Sequence, residues 1–192
     1  VAGPTDPLAG DAVFADHDGD GDTDLYVPVN VGGTARWHVR LASSAAPGAY
    51  AGSPVNTGVA RYGAGRVLEF DGDGRRDLLA QGPGSPATWF VHQSNGTGAF
   101  LTAVNTGLTT ATVPAPLVTD VDGDGLDDLV YARDYLVHIR RNTGAGFGPE
   151  LTTSVGTTIN GGATLLPLLA GAGGAPDFDG DGRQDLLIMR GT

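Results

Sequence analysis

The sequence predicts an all-β fold of β-propeller-type blades, each a meander of four antiparallel strands, with about three and a half such repeats in 192 residues. Three observations carry this. One acidic ten-residue pattern returns four times at a near-constant period. Between its copies, short apolar stretches alternate with Gly-containing turn signals, the signature of many short strands. The chain also holds 32 Gly and 12 Pro, which are poor in helix interiors and good in tight turns. A period of about 50 residues with four strands per repeat fits propeller blades.

The pattern first reads Asp16-His-Asp18-Gly-Asp20-Gly-Asp-Thr-Asp24-Leu25. It returns as Glu69-Phe-Asp71-Gly-Asp73-Gly-Arg-Arg-Asp77-Leu78, then as Asp120-Val-Asp122-Gly-Asp124-Gly-Leu-Asp-Asp128-Leu129. The last copy is Asp177-Phe-Asp179-Gly-Asp181-Gly-Arg-Gln-Asp185-Leu186, and the spacings are 53, 51 and 57 residues. Repeat units fall at about 11–63, 64–114, 115–171 and 172–192 within a single repeat domain.

Each unit resolves into the same elements. Strand one leads into the loop, over Ala12–Ala15, Arg66–Leu68 and Pro116–Thr119. Strand two leaves it, over Asp24–Val29, Asp77–Ala80, Asp128–Ala132 and Asp185–Met189. Strand three opens on an aromatic, Trp37, Trp89 or Tyr135, which puts Arg40, His92 and His138 at one shared position. A Gly-aromatic step comes next, at Tyr50, Phe100 and Phe147, and strand four follows it. Asn56-Thr-Gly58, Asn105-Thr-Gly107 and Asn160-Gly-Gly162 read as turns. The last unit stops at Thr192, after its second strand, so the expectation is an incomplete propeller or one completed by another chain.

The acidic loops have the chemistry of a calcium site. Ca²⁺ takes six to eight oxygens, at roughly 2.3–2.6 Å. Carboxylates at alternate positions converge on one point if the chain curls around it, and the intervening glycines permit the curl. Positions one, three, five and nine supply Asp16, Asp18, Asp20 and Asp24 in the first loop, and Glu69, Asp71, Asp73 and Asp77 in the second. The third supplies Asp120, Asp122, Asp124 and Asp128, and the fourth Asp177, Asp179, Asp181 and Asp185. Position seven offers only its backbone carbonyl, so its side chain is free to vary: Asp22, Arg75, Leu126 and Arg183. Without a cation four carboxylates in nine residues repel one another, and four copies in one register are not chance. Glu69 breaks the run of Asp at position one with a longer reach.

An EF-hand begins the same way but needs Glu at position twelve and flanking helices. Position twelve here is Val27, Ala80, Tyr131 and Ile188, between β-type segments. Mg²⁺ prefers few carboxylates and retained waters. Zn²⁺ needs Cys or clustered His.

The motif D-x-D-G-D-G-x-x-D-L at this period resembles the FG-GAP/VCBS repeats, the calcium-binding β-propeller family of integrin α-like repeats. The resemblance covers nearly the whole chain. It implies bladed propellers in which the loop between strands one and two holds a structural Ca²⁺, here about four ions. Phe147-Gly148 matches the "FG" element, whereas Gly174-Ala-Pro176 precedes strand one, where integrins place "GAP" after strand two. The sequence is in this respect nearer the VCBS branch.

Charge and composition narrow the function classes. The net charge of −11 disfavours nucleic acid and anionic membrane as partners. Of 22 acidic residues only Asp6, Asp11, Asp134 and Glu150 lie outside the loops, so bound divalent ions would bring the chain close to neutral. Cys and Lys are absent, and no apolar run of 18 residues offers a membrane-spanning helix. The chain opens on Val1 rather than Met, which reads as a mature or excised piece. No G-x-S-x-G elbow, P-loop or HExxH is present, so no enzyme activity is expected.

Outside the loops, Asn95-Gly-Thr97 is a glycosylation sequon that also reads as a hairpin turn, the preferred reading. His17, inside the first loop, is expected to point to solvent. The strand-three aromatics are expected to pack between blades, with sugar stacking as the alternative. The functional expectation is a non-enzymatic, calcium-stabilised scaffold, adhesion or assembly module, extracellular or at a bacterial cell surface. Its partners would be a protein or glycan surface, copies of itself included. The alternatives are a glycan-binding lectin and, behind it, a polysaccharide-active enzyme.

Overall fold

A computed structural model describes residues 12–43, 49–50, 52–113, 115–156 and 177–185. Among them there are twelve strands and no helix, so none that could cross a membrane. The strands form three separate antiparallel meanders, each four strands in chain order, and the sheets do not close a ring. The first holds β1 (Val13–Ala15), β2 (Asp24–Val31), β3 (Thr34–Arg40) and β4 (Val55–Ala60). The second holds β5 (Arg66–Leu68), β6 (Asp77–Gly84), β7 (Ala87–His92) and β8 (Val104–Thr109). The third holds β9 (Leu117–Thr119), β10 (Asp128–Arg133), β11 (Leu136–Asn142) and β12 (Phe147–Gly156). The innermost strands touch, β1 against β5 and β5 against β9, so the sheets stand face to face as neighbouring blades.

The core lies between blades. Ala15, Tyr26, Trp37 and Val39 of the first sheet pack on Leu78 and Ala80 of the second. Leu68, Phe70, Leu79, Trp89 and Val91 of the second pack on Leu129 and Tyr131 of the third. Both tryptophans are buried, Trp37 at 0% and Trp89 at 1% exposure, so blade packing is their role and neither offers a ring face for sugar stacking. The Trp89 indole N–H donates to the Val113 carbonyl at 2.9 Å. Gly65 is required beside Trp37, because a Cβ there would sit 2.8 Å from the indole. The leucine after each loop anchors it as expected in two blades, with Leu78 and Leu129 both at 0% exposure.

Strand-three alignment differs from the sequence reading in the third blade. Leu25 pairs with Arg40, Leu78 with His92 and Leu129 with Arg140. The residue equivalent to Arg40 and His92 is therefore Arg140, and His138 lies two positions earlier. The cause is a shorter hairpin: β10 has six residues where β2 and β6 have eight. Its two-residue turn is Asp134-Tyr135, with φ of 50° and 63°, so Tyr135 is an exposed turn residue and not the head of the strand.

The Asn-Thr-Gly steps are not turns either. Asn56–Gly58 lies inside β4 and Asn105–Gly107 inside β8, at register shifts opposite Arg36/His38 and Thr88/Phe90. The threonine hydroxyl explains the bulge: Thr57 and Thr106 donate to the Trp37 and Trp89 carbonyls, at 2.6 and 2.9 Å. Thr153 makes the same bond to Val137 at 3.0 Å, so the third copy of this device lies there. Asn160-Gly-Gly162, strand two of the fourth unit beyond Asp185, and Gly174-Ala-Pro176 lie outside the described residues.

Candidate metal centre

Each of the first three acidic loops joins an innermost strand to the second strand of its blade, and the fourth, residues 177–185, has the same internal bonding. The glycines at positions four and six have φ between 78° and 89° in all four copies, a region that side chains with a Cβ rarely adopt. That curl turns amide N–H groups inward. The position-one carboxylate takes two of them: Asp16 accepts from Gly19 and Gly21 at 2.7 and 2.9 Å, Asp120 from Gly123 and Gly125 at 2.8 and 2.9 Å. Asp177 does likewise with Gly180 and Gly182, at 2.6 and 2.9 Å, while Glu69 accepts from Gly72 at 3.0 Å. The position-five carboxylates accept the position-seven N–H at 2.8 to 2.9 Å.

Position nine is a latch. The outer oxygen of Asp24, Asp77, Asp128 and Asp185 accepts the N–H of position two, at 2.7 to 3.2 Å. The other oxygen of Asp24, Asp77 and Asp128 accepts an N–H at or just past the end of strand three, from Ala42, Ser94 and Asn142, at 2.6 to 2.7 Å. One buried side chain thus ties the loop's start to the far end of the next hairpin. Burial raises the carboxyl pKa of Asp77 to about 7 and of Asp128 to about 6, with neighbouring loop carboxylates adding to it. Asp24, Asp18 and Glu69 are raised for the same first cause. Asp177, fully exposed, is held below the usual range by the N–H groups of its loop.

Three carboxylates converge in every loop, with ligand oxygens within 4.8 Å of one another: Asp16, Asp18 and Asp24; Glu69, Asp71 and Asp73; Asp120, Asp122 and Asp128; Asp177, Asp179 and Asp185. Of the carboxylates at positions one, three, five and nine, Asp20, Asp77, Asp124 and Asp181 lie outside these triads. Position seven (Asp22, Arg75, Leu126, Arg183) brings no side chain to a triad. Its side chain has a different task. Those of Arg75, Leu126 and Arg183 lie 3.3 to 3.5 Å from where a Cβ would stand at Gly19, Gly72 and Gly123, so position seven spaces one loop from the preceding loop and is not free.

The residues fit a hard cation. The donors are all oxygen. Asp122 Oδ1 is buried without a hydrogen-bond partner, while its Oδ2 pairs with Arg141 at 3.0 Å. An orphaned carboxylate oxygen facing two other carboxylates is a ligand position in need of positive charge.

Sequence reasoning missed two sets of residues. His17, at position two of the first loop, was expected to point to solvent, yet it is fully buried. Its ring nitrogens bond to the Tyr26 hydroxyl at 2.8 Å and to Ser94 Oγ at 3.1 Å, and it packs edge-on against Phe100. Phe70 repeats this against Phe147 of the third blade. In loops one and two, position two plugs the junction with the next blade's Gly-aromatic step, which is why it turns inward there. Position eight is the second set. Arg76, Asp127 and Gln184 donate their backbone N–H to the position-one carbonyl of the preceding loop: Asp16, Glu69 and Asp120, at 2.7, 2.8 and 3.1 Å. The recurring oxygen-bearing side chain at position eight of loops three and four was the available signal. Asn95 forms a tight turn, accepting from the Thr97 N–H at 2.9 Å.

A family model described as FG-GAP-like repeat matches residues 70–131 and 120–188. No curated protein matches the chain. Among solved structures, a lectin from Agrocybe aegerita, described as specifically recognising non-reducing terminal N-acetylglucosamine, aligns with a TM-score of 0.57 at 23% identity over 73% of this chain. A chain of the Photorhabdus luminescens Tc holotoxin pore aligns with a TM-score of 0.47 at 21% identity over 78% of this chain. The chain spans 37% of the length of the first and 7% of the second.

Proposed function

The chain belongs to the FG-GAP-like repeat family, and from that premise we propose that it is a calcium-stabilised, non-enzymatic β-propeller scaffold that presents a face to a protein or glycan outside the cell. The observation that carries the reading is the repeated triad, four sets of three carboxylates with oxygens within 4.8 Å. Bound Ca²⁺ would supply the charge that lets these groups stay ionised side by side. In the first three loops the triad stands between strand one and strand two, so holding it closed holds the blade's entry. Extracellular calcium modules work at roughly 10⁻⁴–10⁻³ M, a range met outside the cell and not in cytosol. That supports secretion or surface display.

The lectin reading loses its motive. The two tryptophans that suggested sugar stacking are buried between blades, and the exposed aromatic of that set is Tyr135 in a hairpin turn. The scaffold reading, with assembly and adhesion as its uses, is therefore preferred.

The test is thermal unfolding followed by circular dichroism, in millimolar Ca²⁺ and in excess chelator. At ten times Kd one site adds about 1.4 kcal/mol, so four independent sites add roughly 6 kcal/mol. For a chain of this length that raises Tm by roughly 10–20 °C. An unchanged Tm overturns the calcium reading and the extracellular placement built on it.

A further inference from the structure

Position one of each of the first three loops is held by the next loop along. Its carboxylate belongs to its own triad, while its backbone carbonyl accepts the position-eight N–H of the following copy. In two of the three junctions its backbone N–H is taken as well. Asp127 Oδ2 accepts from Glu69 N–H at 2.7 Å, and Gln184 Oε1 accepts from Asp120 N–H at 3.0 Å. The position-eight residue therefore grips both sides of the preceding position one, as a paired strand would. Asn142 reinforces one junction, its amide donating to the carbonyls of Glu69, Phe70 and Asp127 at 3.3, 2.9 and 3.2 Å. The first junction has Arg76 at position eight, whose side chain cannot accept; its N–H bonds to the Asp16 carbonyl and its own carbonyl accepts the Tyr26 hydroxyl at 2.8 Å.

Position eight stands between position seven and position nine of its own loop. Whatever orders that loop fixes position eight, and through it the placement of the preceding loop's first carboxylate. We infer that the metal loops are coupled neighbour to neighbour, with Asp127 and Gln184 as positioning residues that tune the ion affinity of a loop to which they contribute no ligand. The inference rests on the calcium reading above. The coupling acts at all three junctions, since each carries a position-eight N–H bond to the preceding position one. By linkage it runs in both directions: filling loop four strengthens loop three as much as filling loop three strengthens loop four.

The experiment is a Ca²⁺ titration of the ¹⁵N-labelled full chain followed by amide NMR, with the loop glycines reporting each site: Gly19 and Gly21, Gly72 and Gly74, Gly123 and Gly125, Gly180 and Gly182. In Asp179→Asn, which disables loop four, the Gly123 and Gly125 midpoint rises by about fivefold or more while that of Gly19 and Gly21 stays put. Gln184→Leu, which leaves every loop-three ligand in place, raises the same midpoint. Gln184→Glu, which keeps the acceptor oxygen, restores it. The spectrum itself shows that each variant is folded. Unchanged Gly123 and Gly125 midpoints in both Asp179→Asn and Gln184→Leu overturn the coupling while calcium binding stands. Glycines that ignore Ca²⁺ in the parent chain overturn the calcium reading and this inference with it.

Discussion

Replacing Asp77 with Ala separates the latch from the ligands. Asp77 is 1% exposed, and its two oxygens accept the Phe70 and Ser94 N–H groups at 3.2 and 2.7 Å. Both donors belong to buried residues, at 0% and 1% exposure. Ala leaves two N–H groups without partners, each costing about 1–3 kcal/mol. The sum is roughly 4 kcal/mol, which for a chain of this length lowers Tm by about 8–16 °C. Asp77→Asn keeps one acceptor oxygen and loses about half as much. The decisive comparison is Asp73→Ala. Asp73 belongs to the loop-two triad; its Oδ1 accepts the Arg75 N–H and its Oδ2 pairs with the Arg75 guanidinium, both within its own exposed turn. In chelator its loss costs little, within about 0.5 kcal/mol, as at most surface positions. Melting curves of the parent and both variants, in calcium and in chelator, read the two roles. Asp77→Ala is destabilised in both buffers, and Asp73→Ala only in calcium. If Asp77→Ala melts with the parent in chelator, the hydrogen-bond latch does not hold the loop to strand three.

Further expectations follow from burial. Trp89→Ala removes the largest side chain between the second and third blades and the bond to Val113, costing about 3–5 kcal/mol in denaturant unfolding; a loss below about 1 kcal/mol refutes its core role. His92 is held neutral by burial, its pKa lowered to about 4, so its contribution is present above the ordinary histidine value and fades as pH falls from there towards 4. At about pH 5 that amounts to about 2 kcal/mol, and His92→Phe should flatten the fall in Tm between about pH 7.5 and about pH 5; a parallel profile refutes it. Gly123→Ala places a Cβ at φ +78° and 3.3 Å from the Gly182 carbonyl, so it should weaken calcium binding at loops three and four more than at loop one, read by the same glycine amides. Equal weakening everywhere refutes a local contact.

Much of this fold was legible because its signals are periodic. The acidic loops, strands one and two, and the packing role of Trp37 and Trp89 all follow from residue type at a fixed offset from an Asp. What escaped the sequence depends on partners distant in the chain. His17 looked like an exposed loop residue, because what buries it, Tyr26, Ser94 and Phe100, comes from the next hairpins. Tyr135 looked like Trp37 and Trp89, because a hairpin two residues shorter per strand slides the aromatic into the turn without changing the local pattern. Asn56-Thr-Gly58 looked like a turn, because a bulge uses the same residues: a Gly at φ 79° and a short polar side chain bonding its own backbone at 2.9 Å. In each case the local chemistry was read correctly and its tertiary setting was not.

The position-nine aspartate resolves a conflict that charge counting alone leaves open. Four carboxylates in nine residues repel one another, yet the same glycine-driven curl that gathers them also aims amide N–H groups at them. In loop three, Asp120 and Asp128 together accept five backbone N–H bonds at 2.7 to 3.3 Å. Those donors carry part of the positive charge the site needs, and they are bonded to the chain, so they persist whatever the ion concentration. The orphaned oxygen of Asp122 marks what they leave unmet. The loop is thus shaped by its backbone and left short of one cation. A site preorganised in this way spends little of its binding energy on ordering itself, and the remainder is available to stabilise the blades.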